Sequence, residues 1–282
     1  MTRLITATQI EQVILEAYRE FPFVVDPQVL SLISSALEIE TEPNAKEILQ
    51  SILDNAEIAR DERLVPCQDT GSQIFFIELG TEVRIEGGTL EQIINRALSQ
   101  ASRENYLRAS IVRDPLFDRV NTGDNTPGVF HVKQVEGERL RIRIAQKGGG
   151  AENMSRLIML TPAAGADTIE ECLVNLVRDA GSKACPPLII GIGIGGNFET
   201  APLLAKKALL VDLRAPHPNP LYAALEKRLL GAVNATGIGP MGLGGKTTAL
   251  KVSIRTAPCH IASLPLAINL QCHSHKHTEI LL

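Results

Sequence analysis

The feature that most constrains this fold is a change in the spacing of apolar residues near Val65. Before it, apolar side chains recur at helical spacing, for example Ile10, Ile14 and Tyr18, and they carry no chemistry of their own. After it, short apolar runs alternate with glycine-rich or polar turns, which is typical of strands mixed with helices. The sequence therefore predicts a mixed α/β (α+β) fold in one domain over residues 1–282. Residues 1–60 form a helical part, and residues 65–282 carry the chemistry.

Local signals place the individual elements. Thr8 with Glu11 is typical of a capping box at the start of a first helix. Asp26 before Pro27 is typical of the N-cap of a second helix, and Asn44 is a candidate cap for a third. Further helices are predicted at residues 90–104, 169–180, 201–210 and 221–233. Strands are predicted at residues 73–79, 129–135, 140–145, 188–194, 250–255 and 261–270.

Composition and charge exclude several classes of protein. The net charge is −4 and the pI is about 5.9, which argues against a broad nucleic-acid surface. The apolar runs are too short to span a bilayer, and the N-terminus lacks the apolar stretch of a signal peptide. Five cysteines, an odd number, argue against a disulfide framework. We therefore expect a cytoplasmic protein that is not bound to membranes.

Two glycine-rich segments imitate nucleotide sites. Residues 191–196 satisfy the dinucleotide pattern G-x-G-x-x-G, so a dinucleotide-binding module is the rival hypothesis from a different class. Asp212, the candidate ribose ligand, follows a predicted helix, where that pattern requires the tip of a second strand. The segment Gly242-Leu-Gly-Gly-Lys-Thr247 resembles a phosphate loop, but Pro240 occupies its first glycine position and removes a backbone N–H.

Chemistry-bearing residues concentrate in polar turns. The run Cys67-Gln68-Asp69-Thr70-Gly71 places a thiol, an amide, a carboxylate and a hydroxyl before a strand, and both a capped turn and a functional loop fit it. The segment Asn121 to Gly128 is similarly polar, and Lys147 precedes three glycines. Arg108 suits either a surface charge or a clamp for a carboxylate.

The remaining cysteines have different contexts. Cys172 lies in an apolar helix pattern and is predicted to be core, whereas Cys185 precedes two prolines. Cys259-His260 and Cys272-His273 bracket a predicted strand, and zinc held by those four residues would have an unfamiliar spacing. The final histidines, His273, His275 and His277, alternate with polar residues and are predicted to be solvated.

Taken together, these blocks resemble the family of class I, iron–sulfur-dependent fumarate hydratases and L(+)-tartrate dehydratases. The resemblance runs from about Val65 to the C-terminus, with the cysteine, triple-glycine and later glycine blocks in the family's order. Ala151 stands where serine is common in the family, which is a mild departure.

The resemblance implies a [4Fe–4S] cluster held by Cys67, Cys185 and Cys272, with one iron open to substrate. It implies Asp69 as the catalytic acid and His260 as a second catalytic residue beside the substrate, with proton handling and hydrogen bonding as its two possible roles. Gln68, Arg108 and Gly150 would join Asp69 in binding a small dicarboxylate. A cluster that only transfers electrons is the alternative, and it would leave Asp69, Arg108 and His260 without a purpose.

The resemblance also implies a partner. The second part of the family's long chains, which supplies a base, lies beyond the block that ends this chain, so a separate beta subunit in an α2β2 assembly is expected. The implied reaction is reversible hydration of fumarate to L-malate, with dehydration of L(+)-tartrate to oxaloacetate as the close alternative.

Overall fold

The computed structural model describes residues 2–282, so Met1 of the predicted helical part lies outside it. The helices are α1 (Ala7–Tyr18), α2 (Pro27–Ile39), α3 (Pro43–Asp61), α4 (Leu90–Glu104), α5 (Gly149–Asn153), α6 (Gly165–Ala180), α7 (Thr200–Ala208) and α8 (Pro220–Asn234). The strands are β1 (Arg3–Thr6), β2 (Ser72–Gly80), β3 (Val83–Glu86), β4 (Val129–Val135), β5 (Leu140–Lys147), β6 (Arg156–Leu160), β7 (Leu188–Gly196), β8 (Ala249–Cys259), β9 (Leu264–Gln271) and β10 (Lys276–Leu281). The mixed α/β class is confirmed.

The chain divides into two compact units. Unit 1 contains the residues up to Val25, Ile58–Gly149 and Lys276–Leu282, and unit 2 contains Asp26–Glu57 and Gly150–His275. Among residues 2–282, no helix has the length and apolar character needed to cross a membrane.

Unit 1 is built on a four-stranded sheet in the order β10-β5-β2-β4, together with a parallel pair, β1 and β3. Strand β2 runs parallel to β4 and antiparallel to β5, so β4 and β5 are consecutive in sequence but lie on opposite sides of β2. The core unites α1 and α4 with the sheet through Ile14, Ile94 and Ile142, each fully buried.

Two expectations from the sequence are wrong. The capping box of α1 is formed by Thr6 and Gln9, because β1 ends at Thr6 and the helix begins directly after it. The histidine tail is not solvated as a whole. His275 and Lys276 are buried, and Lys276 begins β10, which pairs with β5 as the edge strand of the sheet.

Unit 2 is built on a four-stranded sheet in the order β6-β9-β7-β8. Strand β7 runs parallel to β8 and antiparallel to β9. Its residues Ile190, Ile192 and Ile194 join the main apolar core, which also contains Leu173 of α6 and Leu229 of α8.

The glycines of the dinucleotide-like pattern lie in β7 and pack against a helix. A Cβ at Gly191 would collide with the carbonyl oxygen of Ala205, and one at Gly193 with that of Ala201. Both glycines are paired with β8 and β9, so they allow α7 to approach the sheet closely.

Side chains of α8 close the outer edge of β8. The Asn234 amide oxygen accepts the N–H groups of Thr248 and Ala249 at 2.9 and 2.8 Å, and its Nδ2 donates to the Ala249 carbonyl at 3.1 Å. Farther along the strand, Glu226 Oε1 accepts the N–H of Ile254 at 2.8 Å. Side chains thus satisfy backbone groups that an edge strand would leave open.

The second glycine segment binds a carboxylate of the protein itself. Glu40 Oε2 accepts the N–H of Lys246 at 2.7 Å, and Oε1 accepts those of Thr41 and Glu42. Burial by itself raises the pKa of Glu40, but the hydrogen bonds from Glu42, Lys246 and Thr41, with the charge of Lys246, outweigh it and hold the pKa below its ordinary value. The segment is therefore a structural anchor for the end of α2.

Replacing Glu40 with glutamine is expected to lower the free energy of unfolding at pH 7 by about 1–3 kcal/mol, the cost of weakening buried hydrogen bonds to a charged acceptor. The folded state lowers the pKa of Glu40. The ionised carboxylate therefore contributes its full stabilisation above the pKa of glutamate in the unfolded chain, about 4.3, and this stabilisation is lost as the pH falls through the lower pKa of the folded state. Urea unfolding at several pH values measures both effects. The exposed neighbour provides the matched variant, Glu42→Gln, and an equal loss in both variants would contradict the anchor.

Candidate active site

The strand directions of unit 1 gather its polar turns at one end of the sheet, which we call the unit 1 edge. Strands β2 and β4 begin there and β5 ends there, as the register pairs Ser72 with Lys147 and Ile74 with Val129 show. The cysteine turn before β2, the polar segment before β4 and the glycine turn after β5 are therefore neighbours. The predicted site residues Cys67, Gln68, Asp69 and Arg108 all belong to unit 1.

Asp69 joins two of these turns. Its Oδ1 accepts the N–H of Gly71 at 2.9 Å, and its Oδ2 accepts the N–H of Gly149 at 2.7 Å. The first bond is the capped turn that the sequence allows, and the second ties that turn to the triple glycine. Both interpretations of the turn are thus compatible with the structure.

A buried pair that sequence reasoning missed braces the cysteine turn. Gln73 Nε2 donates to the carbonyl oxygens of Thr70 and Gly71, each at 3.2 Å, and the Tyr18 hydroxyl donates to Gln73 Oε1 at 2.7 Å. Both side chains are fully buried, and burial raises the pKa of Tyr18 well above its ordinary value. The neutral phenol and the amide therefore fix the backbone that follows Cys67.

The polar segment before β4 positions the segment that contains Arg108. The Asn121 amide donates to the Ala109 carbonyl at 2.8 Å, and buried Asn125 accepts the N–H of Ser110 at 2.8 Å. The Arg108 side chain is exposed and has no hydrogen bond or ion pair within residues 2–282. Its backbone is fixed while its guanidinium remains available to a ligand.

Unit 2 has a corresponding polar end, the unit 2 edge, where β7 begins and β9 ends. Ile189 pairs with Gln271, so Cys185 and Cys272, which flank these strands, lie at the same edge. His273 Nδ1 donates to the carbonyl oxygen of Cys185 at 3.1 Å, and this contact links the two cysteine segments. Burial lowers the pKa of His273, partly opposed by that hydrogen bond, which favours a neutral ring.

Cys185 has an unusual backbone conformation. Its φ of 53° and ψ of 65° are left-handed, and its N–H donates to Ser182 at 3.0 Å. A non-glycine residue in this region costs about 1–2 kcal/mol, and such residues are frequent at functional sites. The strained turn sets the direction of the Cys185 side chain.

Gly150 also lies at the unit 2 edge. A Cβ there would approach the Lys183 carbonyl oxygen to 3.0 Å, so the glycine packs on the turn before Cys185. Ser155 fastens the following segment by accepting the N–H of Leu270 at 3.1 Å. Glu152 is held by Lys206 at 2.5 Å and by Asn269 at 3.1 Å.

His260 lies at the other end of the unit 2 sheet. It follows Cys259, which pairs with Gly196 at the end of β7, whereas Cys185 precedes the beginning of β7. Unit 2 therefore brings Cys185, Cys272 and Gly150 together but separates His260 from them. The same separation excludes zinc held jointly by Cys259, His260, Cys272 and His273 within one copy of the unit.

The other cysteines differ in their surroundings. Cys172 is half-buried against the unit 2 core, where burial and the nearby Glu171 raise the pKa of its thiol, in agreement with its predicted core position. Cys259 is exposed and its Sγ contacts the Ser263 carbonyl. Cys67, Cys185 and Cys272 are half-buried, and no disulfide occurs among residues 2–282.

Comparison with known proteins identifies the family. The model of the family described as Fumarate hydratase (Fumerase) matches residues 11–281. A protein of Methanocaldococcus jannaschii named "Putative L(+)-tartrate dehydratase subunit alpha" is 37% identical over 272 residues, which cover 95% of each chain. The L(+)-tartrate dehydratase subunit alpha of Escherichia coli (strain K12) is 32% identical over 258 residues, which cover 90% of this chain and 84% of that protein.

The fold, the polar edges and these matches define an enzyme of the hydro-lyase class, which adds water to a double bond or removes it. More particularly, the chain belongs to the fumarate hydratase (Fumerase) family. The resemblance inferred from the motifs is confirmed.

Proposed function

We propose that this chain is the alpha subunit of a [4Fe–4S]-dependent hydro-lyase that reversibly hydrates fumarate to L-malate. The observation that carries the proposal is the membership of the Fumerase family over residues 11–281. Residues 1–282 would act as one catalytic domain, in the cytoplasm, where reducing conditions keep thiols available.

The donor set suits an iron–sulfur cluster. Cys67, Cys185 and Cys272 are half-buried, form no disulfide among the described residues and lie on turns fixed by hydrogen bonds. Thiolates are the usual ligands of such clusters, and hydrogen bonds that hold the ligand-bearing segments in place help to orient those ligands. We propose these three residues as the ligands.

A bound cluster would supply a Lewis-acidic iron that stabilises the hydroxide lost from or added to the substrate. The residues of this chain would do the rest. Asp69, near the glycine turn, would hold the proton that the departing oxygen takes. The Arg108 guanidinium would pair with a substrate carboxylate, with Gln68 and Gly150 completing the carboxylate site.

A separate beta subunit completes the proposal. The relatives are named alpha subunits, which supports a partner chain that supplies the base. We propose an α2β2 assembly, as the motif resemblance implies.

Tartrate is the second candidate substrate, and the names of the relatives favour it. L-malate and tartrate are both four-carbon dicarboxylates with a hydroxyl beside a carboxylate, so Asp69 and Arg108 would treat them alike. Discrimination would then rest partly on the partner subunit.

Anaerobic coexpression with the beta subunit tests this proposal. The complex is expected to contain iron and sulfide and to turn over fumarate or tartrate, whereas the alpha chain alone binds iron with negligible turnover. Loss of the ultraviolet absorbance of the fumarate double bond measures hydration of fumarate. Formation of oxaloacetate measures dehydration of tartrate, so the two assays distinguish the substrates. A colourless complex that retains a dinucleotide would instead support the rival module at residues 191–196.

A further inference from the structure

A groove lies beside β8, the edge strand of the unit 2 sheet, and no residue assigned to the candidate active site lines it. It is lined by β8 from Ser253 to Thr256, by the segment between α7 and α8, and by side chains of both helices. Its volume is about 390 Å³. A groove of this size suits a small molecule.

The segment between α7 and α8 is fixed in place. Lys251 Nζ donates to the Ala215 carbonyl oxygen at 3.0 Å, and the Gln28 amide oxygen accepts the N–H of Leu213 at 2.6 Å. These bonds hold the groove open from both sides of the segment. A preformed groove orders few groups when a ligand enters, so little of the binding free energy is lost.

Glu226 of α8 brings a buried negative charge to the groove. The residue is 7% exposed, and its Oε1 accepts the N–H of Ile254 at 2.8 Å. That bond is the only one its carboxylate makes among residues 2–282, and no cation in that part of the chain pairs with it. Water at the second oxygen would leave the charge without a partner. Because buried carboxylates are normally paired, we expect a positive group from outside the chain beside Glu226.

A buried hydroxyl lies beside the same peptide bond. Ser253 is 2% exposed and lines the groove, and its Oγ makes no hydrogen bond within the described residues. The N–H that reaches Glu226 belongs to Ile254, the next residue. Buried hydroxyls without a partner are rare in folded proteins. A carboxylate and a hydroxyl at one point of a strand match an ammonium group, which has three N–H donors and no acceptor.

The charge of the groove as a whole has the same sign. Asp212 and Glu226 supply two carboxylates against the guanidinium of Arg255, which leaves one net negative charge when His217 is neutral. A negative groove favours a cation over an anion. Apolar side chains also line the groove, and its volume far exceeds that of a metal ion, so an organic cation fits better than a bare ion.

We propose that this groove binds a small organic cation, a primary ammonium on a short alkyl stem. Glu226 and Ser253 accept its N–H groups, and the stem contacts Leu204 and Val211. Binding gives the buried carboxylate its counter-charge and the hydroxyl its partner. The site does not depend on the proposed function, because it shares no residue with the candidate active site.

Titration of the chain of residues 1–282 with three compounds of equal stem length tests the charge preference. Butylammonium is expected to shift the methyl resonances of Leu204, Val211 and Ile254 with a Kd of about 1 mM, which is reasonable for so small a ligand. Butyrate and 1-butanol, which carry a negative charge or none, should bind at least about tenfold more weakly. Equal binding of 1-butanol, or no shift at about ten times that concentration of butylammonium, would overturn the proposal.

Two variants test the residues. Glu226→Gln should weaken butylammonium binding by about tenfold or more, while its amide oxygen still accepts the N–H of Ile254 and preserves the edge of β8. Ser253→Ala should weaken binding by up to about tenfold without lowering Tm, because the hydroxyl has no partner in the folded chain. The control is Glu171→Gln, which removes an exposed carboxylate of α6 outside the groove and should bind like wild type. Wild-type affinity in Glu226→Gln would overturn the proposal.

A lysine side chain of another subunit has the same chemistry as a free amine, and assembly distinguishes the two. The butylammonium titration is repeated on the complex with the beta subunit. Retained binding supports a site for a free organic cation. Loss of binding on assembly would assign the groove to a lysine of the partner subunit and overturn the proposal of a free ligand.

Discussion

Serine at Cys67, Cys185 or Cys272 is expected to remove most of the iron and sulfide from the anaerobically prepared protein, and with it nearly all turnover. Serine has almost the shape of cysteine but is a much poorer ligand for iron, so each change tests ligation with little change in packing. Far-UV circular dichroism should remain close to wild type. Gln73 donates to the carbonyls that follow Cys67, and His273 donates to the carbonyl of Cys185. These hydrogen bonds do not involve a thiol, so they should persist in the serine variants.

The two other cysteines provide matched controls for that prediction. Cys172→Ser should keep its cluster and lose at most about 1–3 kcal/mol of stability, which is the cost of a fully buried hydroxyl, because Cys172 is only half-buried. Cys259→Ser should also keep its iron, because Cys259 lies with His260 at the far end of β9. If Cys272→Ser retained its iron while Cys259→Ser lost it, the assignment of Cys272 as the third ligand would be refuted.

Asp69→Asn is expected to lower kcat by about 10² to 10⁴-fold, the usual contribution of a general acid, with a much smaller effect on KM. The amide cannot supply the proton. It can still accept one of the two N–H groups, from Gly71 or Gly149, so the turn should persist. Steady-state kinetics and iron analysis of the anaerobic complex make the measurement.

An aspartate in a second turn of unit 1 provides the control that distinguishes a catalytic role of Asp69 from a structural one. Asp114 Oδ1 accepts the N–H groups of Leu116, Phe117 and Asp118, and Asp114→Asn should leave turnover close to wild type. If Asp69→Asn lowers the iron content as strongly as turnover, Asp69 shapes the cysteine turn, and its assignment as the acid is wrong.

Long elements with strong patterns were predictable from the sequence. The helix predicted at residues 90–104 coincides with α4, because its apolar stripe is continuous and Thr89 caps it. Strands β1, β3, β6 and β10 were not predicted. They have four to six residues each, and β1 and β3 pair across some 80 residues, from Arg3 to Val83, so no local pattern announces them.

The sequence predicted which residue types and turns carry the candidate site, but not which of those turns come together in space. The turn at Cys67 and the glycines after Lys147 were recognised, yet their junction through Asp69 depends on the antiparallel register of β2 and β5. The brace of Tyr18 and Gln73 joins residues 55 positions apart, and a fully buried tyrosine in a helical stripe has the same sequence signature as ordinary core. The position of His260 follows only from the direction of β8.

The closed edge of β8 has a consequence for handling the protein at high concentration. A sheet whose outer strand offers unpaired amides can recruit the same strand from another molecule and grow into fibrils. Asn234 and Glu226 occupy the amides of Ala249 and Ile254 in β8, which such growth would use. Unit 2 should therefore resist fibril formation through β8, and loss of Asn234 would weaken that protection by freeing the Ala249 amide.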